Sequence, residues 1–314
     1  MGLAIMMKFV PSLGVVALAV AASGASAFAQ TPTELNAPII EAIQPDPALK
    51  ELLPEKIQES GVIKLATDAH YPPCEIFADD NKTMIGYEPD TWNAIAKKLG
   101  VTIEPTSIAF DGLIPGVVSG RYDVAMECMS DNAKREEQVI FVNNAYAITA
   151  VFTLESNTTI TSDPKTLCGL TIALPKGFDV AGIVENKLIP HCEKNDLPTI
   201  TMNEYPSSDA TLLALYSGRA DFVITDYAAI EEIEKSAPKP IRVVANPLLP
   251  KLYLGMIVNK DNMQLAEALL AGLKGIHADG AYDKIMDNWG LVDLKLDEPG
   301  INLFTSRPLP EPMP

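Results

Sequence analysis

Tyr71 and Arg135 are the side chains whose types and positions point most directly to chemistry, namely the binding of a small polar molecule. Tyr71 lies in residues 68–75, which leave an apolar run and include two consecutive prolines. Because proline fixes the backbone, this segment would hold Tyr71 as the wall of a cleft or pack it as a loop aromatic. Ser130 and Arg135 follow another apolar run, and a guanidinium matches a carboxylate, although a single helical arginine is more often a surface group. Phe110 adds an aromatic ring directly before a predicted helix.

Motifs of catalysis and metal binding are absent from the sequence. G-x-S-x-G, H-E-x-x-H, G-x-x-x-x-G-K and G-x-G-x-x-G do not occur, and the 3 histidines are scattered. A Ser/His/Asp or Cys/His mechanism therefore has little support. A hydrolase with two carboxylates is not excluded by counting acids, but nothing indicates one. Without metal-site spacing of cysteine or histidine, neither a metal nor a cofactor is predicted.

The charge balance excludes some classes of partner. The 314 residues include 41 acidic and 24 basic side chains, a formal net charge of −17. Nucleic-acid binding requires clustered lysine and arginine, which this chain lacks, and the same charge argues against anionic lipid. A hydrophobic content of 47% with 21% charged residues is typical of a folded globular protein. The acidic character favours a cationic ligand.

Residues 1–29 have the features of a secretory signal peptide. Lys8 precedes an apolar run, the segment has no acidic residue, and Ala27-Phe28-Ala29 fits an A-x-A cleavage site. The run is too short to span a bilayer comfortably. We expect cleavage after Ala29 and export, most simply to the periplasm.

Four cysteines remain after this cleavage, which in an oxidising compartment suggests disulfides. A bond between Cys168 and Cys192 is favoured because it would close a local loop. For Cys74 and Cys128, a disulfide and two buried thiols are equally compatible with the sequence.

Short apolar strands alternate with helices through the remaining chain, which is typical of parallel α/β units. Residues 30–48, rich in proline and polar residues, are expected to form a leader arm, and residues 49–59 a short helix. The first predicted strands cover residues 62–66, 101–104 and 122–126. Predicted helices begin at Asp90 and Asp111, and two more cover residues 262–276 and 280–289. A Pro-rich tail, predicted to be extended, begins at residue 298.

One helix–turn–strand pattern occurs twice. Residues 119–123 read S-G-R-Y-D and residues 217–221 read S-G-R-A-D, each after a helix that starts with aspartate and before an apolar strand. A chance repeat is the alternative, but the match favours two similar lobes. The strands end near Glu127 and Asp226, and ligands bind beyond the carboxyl ends of strands in open α/β sheets. A cleft between two lobes is the expected ligand site.

Several stretches in the same order resemble the polar amino-acid-binding proteins of bacterial ABC importers, the type with a doubly crossed hinge. The resemblance covers roughly residues 50–295. The matching stretches are residues 63–76, 85–87, 110–115, 119–141, 217–226, 253–261 and 278–289. It implies an α/β type II periplasmic-binding fold, with residues 61–147 and 252–297 in one lobe and residues 148–251 in the other.

The resemblance also implies how the α-carboxylate of an amino acid would be bound. Arg135 would bind it with help from the backbone N–H of Ser130. A second-lobe helix start at Gly177, Phe178 and Asp179 would donate further N–H groups, as the helix dipole favours.

The other contacts implied by the resemblance concern the ammonium group and the ligand side chain. Asp226 would bind the α-ammonium group, and Tyr71 and Phe110 would enclose the side chain. Asp68 would meet a polar or cationic tip.

The chain departs from the family pattern at four site residues. Glu127 and Cys128 replace small residues or serine, and Phe178 and Asp179 replace serine or threonine. Asp179 would either cap its helix or repel a ligand carboxylate. Glu127 would either point to the surface or form an acidic pocket with Asp68, which would attract a cationic side chain.

We therefore predict a monomeric periplasmic receptor, not an enzyme, that closes on one cationic amino acid such as arginine, lysine, ornithine or histidine and presents it to an ABC permease. A diamine or guanidino compound lacking the carboxylate is an alternative ligand. A cyclohexadienyl or arogenate dehydratase on the same fold, with Glu127 as its acid, is the enzyme alternative. A sensor module is a third, although no signalling segment is attached.

Overall fold

The computed structural model describes residues 30–310, and the predicted signal peptide lies outside them. The strands are β1 (Val62–Thr67), β2 (His70–Tyr71), β3 (Glu75–Phe77), β4 (Met84–Ile85), β5 (Thr102–Ser107), β6 (Val124–Ala125), β7 (Val139–Leu154), β8 (Thr171–Pro175), β9 (Thr201–Tyr205), β10 (Val223–Asp226), β11 (Ile241–Val244), β12 (Lys251–Asn259) and β13 (Lys295–Ile301). The helices are α1 (Pro32–Ala42), α2 (Pro47–Lys50), α3 (Glu55–Ser60), α4 (Tyr87–Leu99), α5 (Leu113–Val118), α6 (Ala133–Glu136), α7 (Val180–Ile183), α8 (Ile189–Lys194), α9 (Ser208–Tyr216), α10 (Ile230–Ser236), α11 (Met263–Ala278), α12 (Ala281–Asn288) and α13 (Leu303–Ser306). Within this part of the chain, no helix has both the length and the apolar character needed to cross a bilayer.

The first lobe is built on the sheet β5-β1-β6-β12-β7-β13. Strand β1 pairs in parallel with β5 and β6, whereas β12 runs antiparallel to β6 and β7. Helix α4 buries Trp92, Ile95 and Leu99 on the face predicted from their spacing, in a cluster shared with α11 and α12. This apolar layer fixes the sheet whose strand ends carry the candidate site.

The second lobe is built on the later half of β7. Strands β10 and β11 pair antiparallel with that half, and β8 pairs in parallel with β9. A parallel bridge between Ile172 and Phe222 connects β8 to the β10 side of this sheet. The predicted two-lobed α/β fold is confirmed, and one long strand runs through the sheets of both lobes.

The repeated S-G-R motif makes the same turn in each lobe. Gly120 and Gly218 adopt φ values of 72° and 73°, a left-handed conformation that glycine tolerates best. One carboxylate oxygen of Asp123 accepts the Lys64 backbone N–H at 2.9 Å. In the second lobe Asp221 accepts the Thr171 backbone N–H at 2.8 Å. The aspartate of each motif thus ties its turn to the neighbouring strand, which explains the sequence match.

The predicted leader arm, residues 30–48, contains helix α1 and the start of α2. Thr31 and Glu34 form a capping box at the start of α1. Asn36 is buried and donates to an Asp90 carboxylate oxygen at 2.8 Å. The prediction of a single helix over residues 49–59 is wrong. Helices α2 and α3 are separate, and Pro54 lies between them at the N-cap of α3.

The C-terminal tail is part of the fold. Its first residues are extended in β13, as predicted from residue 298, but residues 303–306 are helical, which corrects the prediction there. Strand β13 pairs with β7, and α13 follows it. The backbone N–H of Phe304 donates to Asp131 at 3.1 Å, and the Thr305 hydroxyl donates to Glu136 at 2.6 Å. These contacts fasten the tail to both sides of the segment that carries Arg135.

Both disulfides are present. The favoured bond between Cys168 and Cys192 lies in the second lobe, and Cys74 bonds Cys128 in the first, which resolves the pairing that the sequence left open. Cys192 and Cys74 are buried.

Removal of the second-lobe disulfide by Cys168→Ala with Cys192→Ala should lower the free energy of unfolding. The bond closes a loop of 24 residues. The chain entropy released in the unfolded state corresponds to about 3 kcal/mol. Urea unfolding of the double variant against the wild type measures this difference. A loss below about 1 kcal/mol would show that the bond adds little to stability.

Candidate functional site

The predicted site residues converge on a cleft between the lobes, beyond the ends of β6 and β10. One part of the cleft is lined by Tyr71, Cys128, Ser130, Phe178, Asp179 and Asp226, among other residues. A smaller part includes Asp68, Phe110 and Glu127, with Tyr71 and Phe178 again on its wall. Arg135 and Gly177 contact each other across the lobes beside this cleft.

Arg135 is a buried cation, not a solvated surface group. Its side chain is on α6, capped by the Asn132 side chain, and the residue is only 7% exposed. One terminal nitrogen donates to the Ser130 carbonyl at 2.6 Å and to its hydroxyl at 2.8 Å. The other donates to the Gly177 carbonyl of the second lobe at 3.0 Å. Desolvation lowers the pKa of Arg135, whereas the carboxylates of Asp179, Glu127 and Asp131 act in the opposite direction.

Tyr71 connects the first lobe to the end of β10. Its hydroxyl lies 2.6 Å from the Thr225 hydroxyl and accepts the Asp226 backbone N–H at 3.1 Å. The Asp226 carboxylate accepts the Ala228 backbone N–H at 3.1 Å. Burial nonetheless raises the pKa of Asp226 to about 7, because the charged form is poorly solvated. Asp226 is therefore a buried carboxyl that would gain from a cationic partner.

The aromatic residues form one cluster across the cleft. The Phe178 ring of the second lobe lies 4.1 Å from the Phe110 ring and 5.8 Å from the Tyr71 ring, measured between centroids. The guanidinium of Arg135 lies 5.6 Å from the centre of the Phe110 ring. The two predicted aromatic walls therefore both contact Phe178.

The two acids of the predicted acidic pocket have different surroundings. Glu127 is 1% exposed, so the surface position considered for it is wrong, and one of its carboxylate oxygens has no hydrogen-bond partner. Burial raises its pKa well above the ordinary value. Asp68 instead accepts the Phe110 backbone N–H at 3.1 Å and lies 2.7 Å from the His70 ring nitrogen.

Asp179 occupies the N-cap position of α7, but its side chain makes no capping hydrogen bond. The capping role considered for it is therefore wrong. Its carboxylate instead raises the pKa of the Arg135 guanidinium by electrostatic attraction.

Two further glutamates lie behind the first-lobe wall of the cleft. Glu75 and Glu88 are buried and their carboxyl groups face each other. Burial raises the pKa of both, and the proximity of Glu88 and Glu127 raises that of Glu75 further. Glu88 accepts the Cys128 backbone N–H at 2.9 Å, so this layer supports the cleft wall at the disulfide.

Sequence reasoning missed several residues of this region. Thr225 precedes Asp226 at a strand end, and the rule that strand ends carry ligand groups would have identified it. Lys176 of the second lobe pairs with Asp111 of the first at 2.9 Å, a contact that no local pattern indicates. The burial of Glu75 and Glu88 also has no local sequence pattern, because glutamates are normally exposed.

Two lobes that share a long strand, with a cleft between them that aromatic and acidic residues line, define a two-lobed binding protein of the type II periplasmic fold. Residues 63–292 match the model for bacterial extracellular solute-binding proteins, family 3, and the chain belongs to this family. This confirms the family that the sequence resemblance indicated.

Individual relatives support the same assignment. The arginine-binding protein ArgT of Corynebacterium glutamicum is 28% identical over 265 residues, covering 83% of this chain and 86% of that protein. A putative ABC transporter arginine-binding protein 2 of Escherichia coli K12 is 30% identical over 231 residues, covering 72% and 90%. The solved structure of an ancestral arginine-binding protein bound to arginine has a TM-score of 0.63 at 26% identity, covering 73% of this chain and 98% of that chain.

Tyr71→Phe should lower the free energy of unfolding by about 1–2 kcal/mol, because two partly buried hydrogen-bond partners lose the hydroxyl. Urea unfolding at neutral pH measures the change. Tyr227→Phe is the matched control, since Tyr227 directly follows β10 and is 52% exposed. Equal stability of the two variants would mean that the Tyr71 hydroxyl does not connect the lobes.

Proposed function

We propose that the protein is an extracytoplasmic receptor that binds a cationic amino acid in the cleft and delivers it to an ABC permease. The observation that carries this proposal is the arrangement of three buried ionisable groups, one basic and two acidic. Arg135, Asp226 and Glu127 are 7%, 6% and 1% exposed. Asp226 and Glu127 line the two parts of the cleft, and Arg135 bonds Gly177 beside it. A cation and an anion suit the zwitterionic end of an amino acid, and the second anion suits a cationic side chain.

The chemistry of each group supports this division of roles. The guanidinium of Arg135 can exchange its Gly177 acceptor for a carboxylate, which forms a stronger, charge-assisted pair. Asp226 is buried, and an ammonium group would supply its missing counter-charge. Glu127 has an unpartnered oxygen for a guanidinium or ammonium tip. The arginine-binding relatives are in accord with this ligand class.

The mechanism that we propose is closure about a hinge. Strand β7 and the start of β12 connect the lobes, with crossings near residues 147–148 and 247–252. The lobes would then comprise residues 61–147 with 252–297, and residues 148–251. A ligand held by Arg135 and by Asp226 contacts both lobes, so it stabilises the closed form by its differential contacts. The predicted signal peptide and the family support a periplasmic location, and we propose a monomer.

A ligand without an α-carboxylate remains the second candidate, and Asp179 favours it. The carboxylate of Asp179 lies close enough to Arg135 to raise the pKa of the guanidinium, and it would repel a ligand carboxylate bound there. Agmatine or putrescine would avoid that repulsion.

A calorimetric ligand panel tests the proposal. The protein is unfolded and refolded to remove bound solutes, then titrated with the twenty amino acids, ornithine, agmatine and putrescine. Tight binding of arginine, lysine, ornithine or histidine is the expected result. Binding of agmatine or putrescine alone would contradict the carboxylate role of Arg135. Glu127→Gln, run beside Glu137→Gln as an exposed control, should weaken arginine but not glutamine.

The same protein should not turn over prephenate. The enzyme alternative has one supporting observation, which is that burial raises the pKa of Glu127 and so favours the protonated form that a general acid requires. If the wild type dehydrates prephenate and Glu127→Gln does not, the protein is an enzyme and the proposed receptor function is wrong.

Arg135→Ala should weaken binding of the amino acid by about 30-fold or more, which corresponds to about 2 kcal/mol for a desolvated carboxylate left unpaired. Titration calorimetry measures the loss, with Arg121→Ala as an exposed arginine control. Agmatine, if it binds, should lose much less. An unchanged affinity for the amino acid would place Arg135 outside the site.

Ligand affinity should fall when the pH is lowered from 8 to 6. An ammonium group binds the ionised form of Asp226, whose pKa is about 7 in the free protein. That form decreases from about ten-elevenths to about one-eleventh of the molecules, so affinity should fall roughly tenfold. The raised pKa of Glu127 acts in the same direction. Calorimetry at both pH values with wild type and Asp226→Asn measures this, and equal pH dependence of the two proteins would contradict the role of Asp226.

A further inference from the structure

The dipeptide Gly177–Phe178 of the second lobe contacts both first-lobe features that would hold the ligand. The Gly177 carbonyl accepts a hydrogen bond from Arg135 at 3.0 Å. The Phe178 ring contacts Phe110 at 4.1 Å and Tyr71 at 5.8 Å between ring centroids. Neighbouring residues of the chain thus engage the guanidinium and the aromatic pair at the same time.

The backbone at Gly177 makes this double contact feasible. Its φ of +85° is a conformation that residues with side chains rarely adopt. A Cβ atom there would lie 3.4 Å from the Asp111 Cβ and 3.5 Å from a Phe110 ring carbon. Next to it, Lys176 pairs with Asp111 at 2.9 Å. Residues 176–178 therefore contact the first lobe at three successive positions.

Phe178 also lies on the wall shared by the two parts of the cleft. The smaller part contains Asp68, Phe110 and Glu127, whereas the larger contains Ser130, Asp179 and Asp226. Tyr71 and Phe178 line both parts. The Phe178 ring therefore borders both the part of the cleft that contains Asp226 and the part that contains Glu127.

We infer that Phe178 is a specificity-determining residue. Its ring competes with the ligand side chain for contact with Phe110 and Tyr71, and a planar guanidinium displaces the Phe178 ring best. The inference rests on the proposed function and narrows its ligand to amino acids that carry a guanidinium group. Such a group stacks on aromatic rings through its flat face and forms a forked pair with a carboxylate. The amide of glutamine carries no charge, and the ammonium of lysine has no flat face. Each therefore gains less in exchange for the Phe110–Phe178 contact.

A fixed wall and a competitor give different ligand affinities when the Phe178 ring is removed. If the ring were a fixed wall that the ligand touches, its removal would weaken every ligand. If it competes with the ligand, its removal spares every ligand the same cost of displacing the ring. Arginine then also loses the stacking that its guanidinium makes on that ring, so the net gain is largest for ligands that do not stack.

Calorimetric titration of wild type, Phe178→Ala and Phe178→Leu with arginine, lysine and glutamine separates these roles. Phe178→Ala should raise the affinity for glutamine by about tenfold or more and change that for arginine by less than about threefold. Phe178→Leu keeps apolar volume without a flat ring and should fall between. Phe304→Leu is the control, because this aromatic is 41% exposed and lies outside both parts of the cleft described above.

Three outcomes are distinguishable in this experiment. A lower arginine-to-glutamine affinity ratio in Phe178→Ala supports the inference. An unchanged ratio, or parallel weakening of all three ligands, overturns it while leaving the proposed function intact. Failure of wild type to bind any of the three overturns the inference, and failure to bind ornithine and histidine as well overturns the proposed function. Small-angle scattering of the unliganded proteins adds an independent readout: Phe178→Ala should have the larger radius of gyration, and equal radii would contradict the contact between lobes.

Discussion

The burial of the Arg135 guanidinium is the constraint on which the site depends. A buried charge is costly unless its hydrogen bonds and its counter-charge are provided. Ser130 from the same loop and Gly177 from the other lobe provide the hydrogen bonds. Helix α6 must therefore keep its position, and the C-terminal tail contributes through its contacts with Asp131 and Glu136. The tail and the contact between the lobes thus support one side chain.

Several acidic residues of the chain are buried in the same region as this cation. Glu75, Glu88, Glu127 and Asp226 are buried in the first-lobe wall or at the cleft, and burial raises the pKa of each. Such carboxyls hold their protons more tightly until a cation supplies a counter-charge. The bond from Cys74 to Cys128 fixes the backbone through this region. The scaffold thereby keeps acids in place whose full ionisation a cationic ligand would favour.

Regular burial made the strands and the long C-terminal helices predictable, because their apolar faces repeat with a fixed period. Helix α1 escaped prediction because the residue that it buries is Asn36, which is held by hydrogen bonds, so no apolar stripe marks the helix. The site residues were predictable by type from the family resemblance. The position of Phe178 between lobes was not, since it depends on contacts with Tyr71 and Phe110, which are far away in the sequence.

The central claim is that Arg135 and Asp226 together hold the zwitterionic end of a cationic amino acid. A crystal structure of the protein saturated with arginine tests it most directly. The account predicts the α-carboxylate within hydrogen-bonding distance of Arg135, in place of the Gly177 carbonyl, and the α-ammonium group on Asp226. Arginine bound in the cleft while Arg135 keeps its bonds to Ser130 and Gly177 would contradict the account.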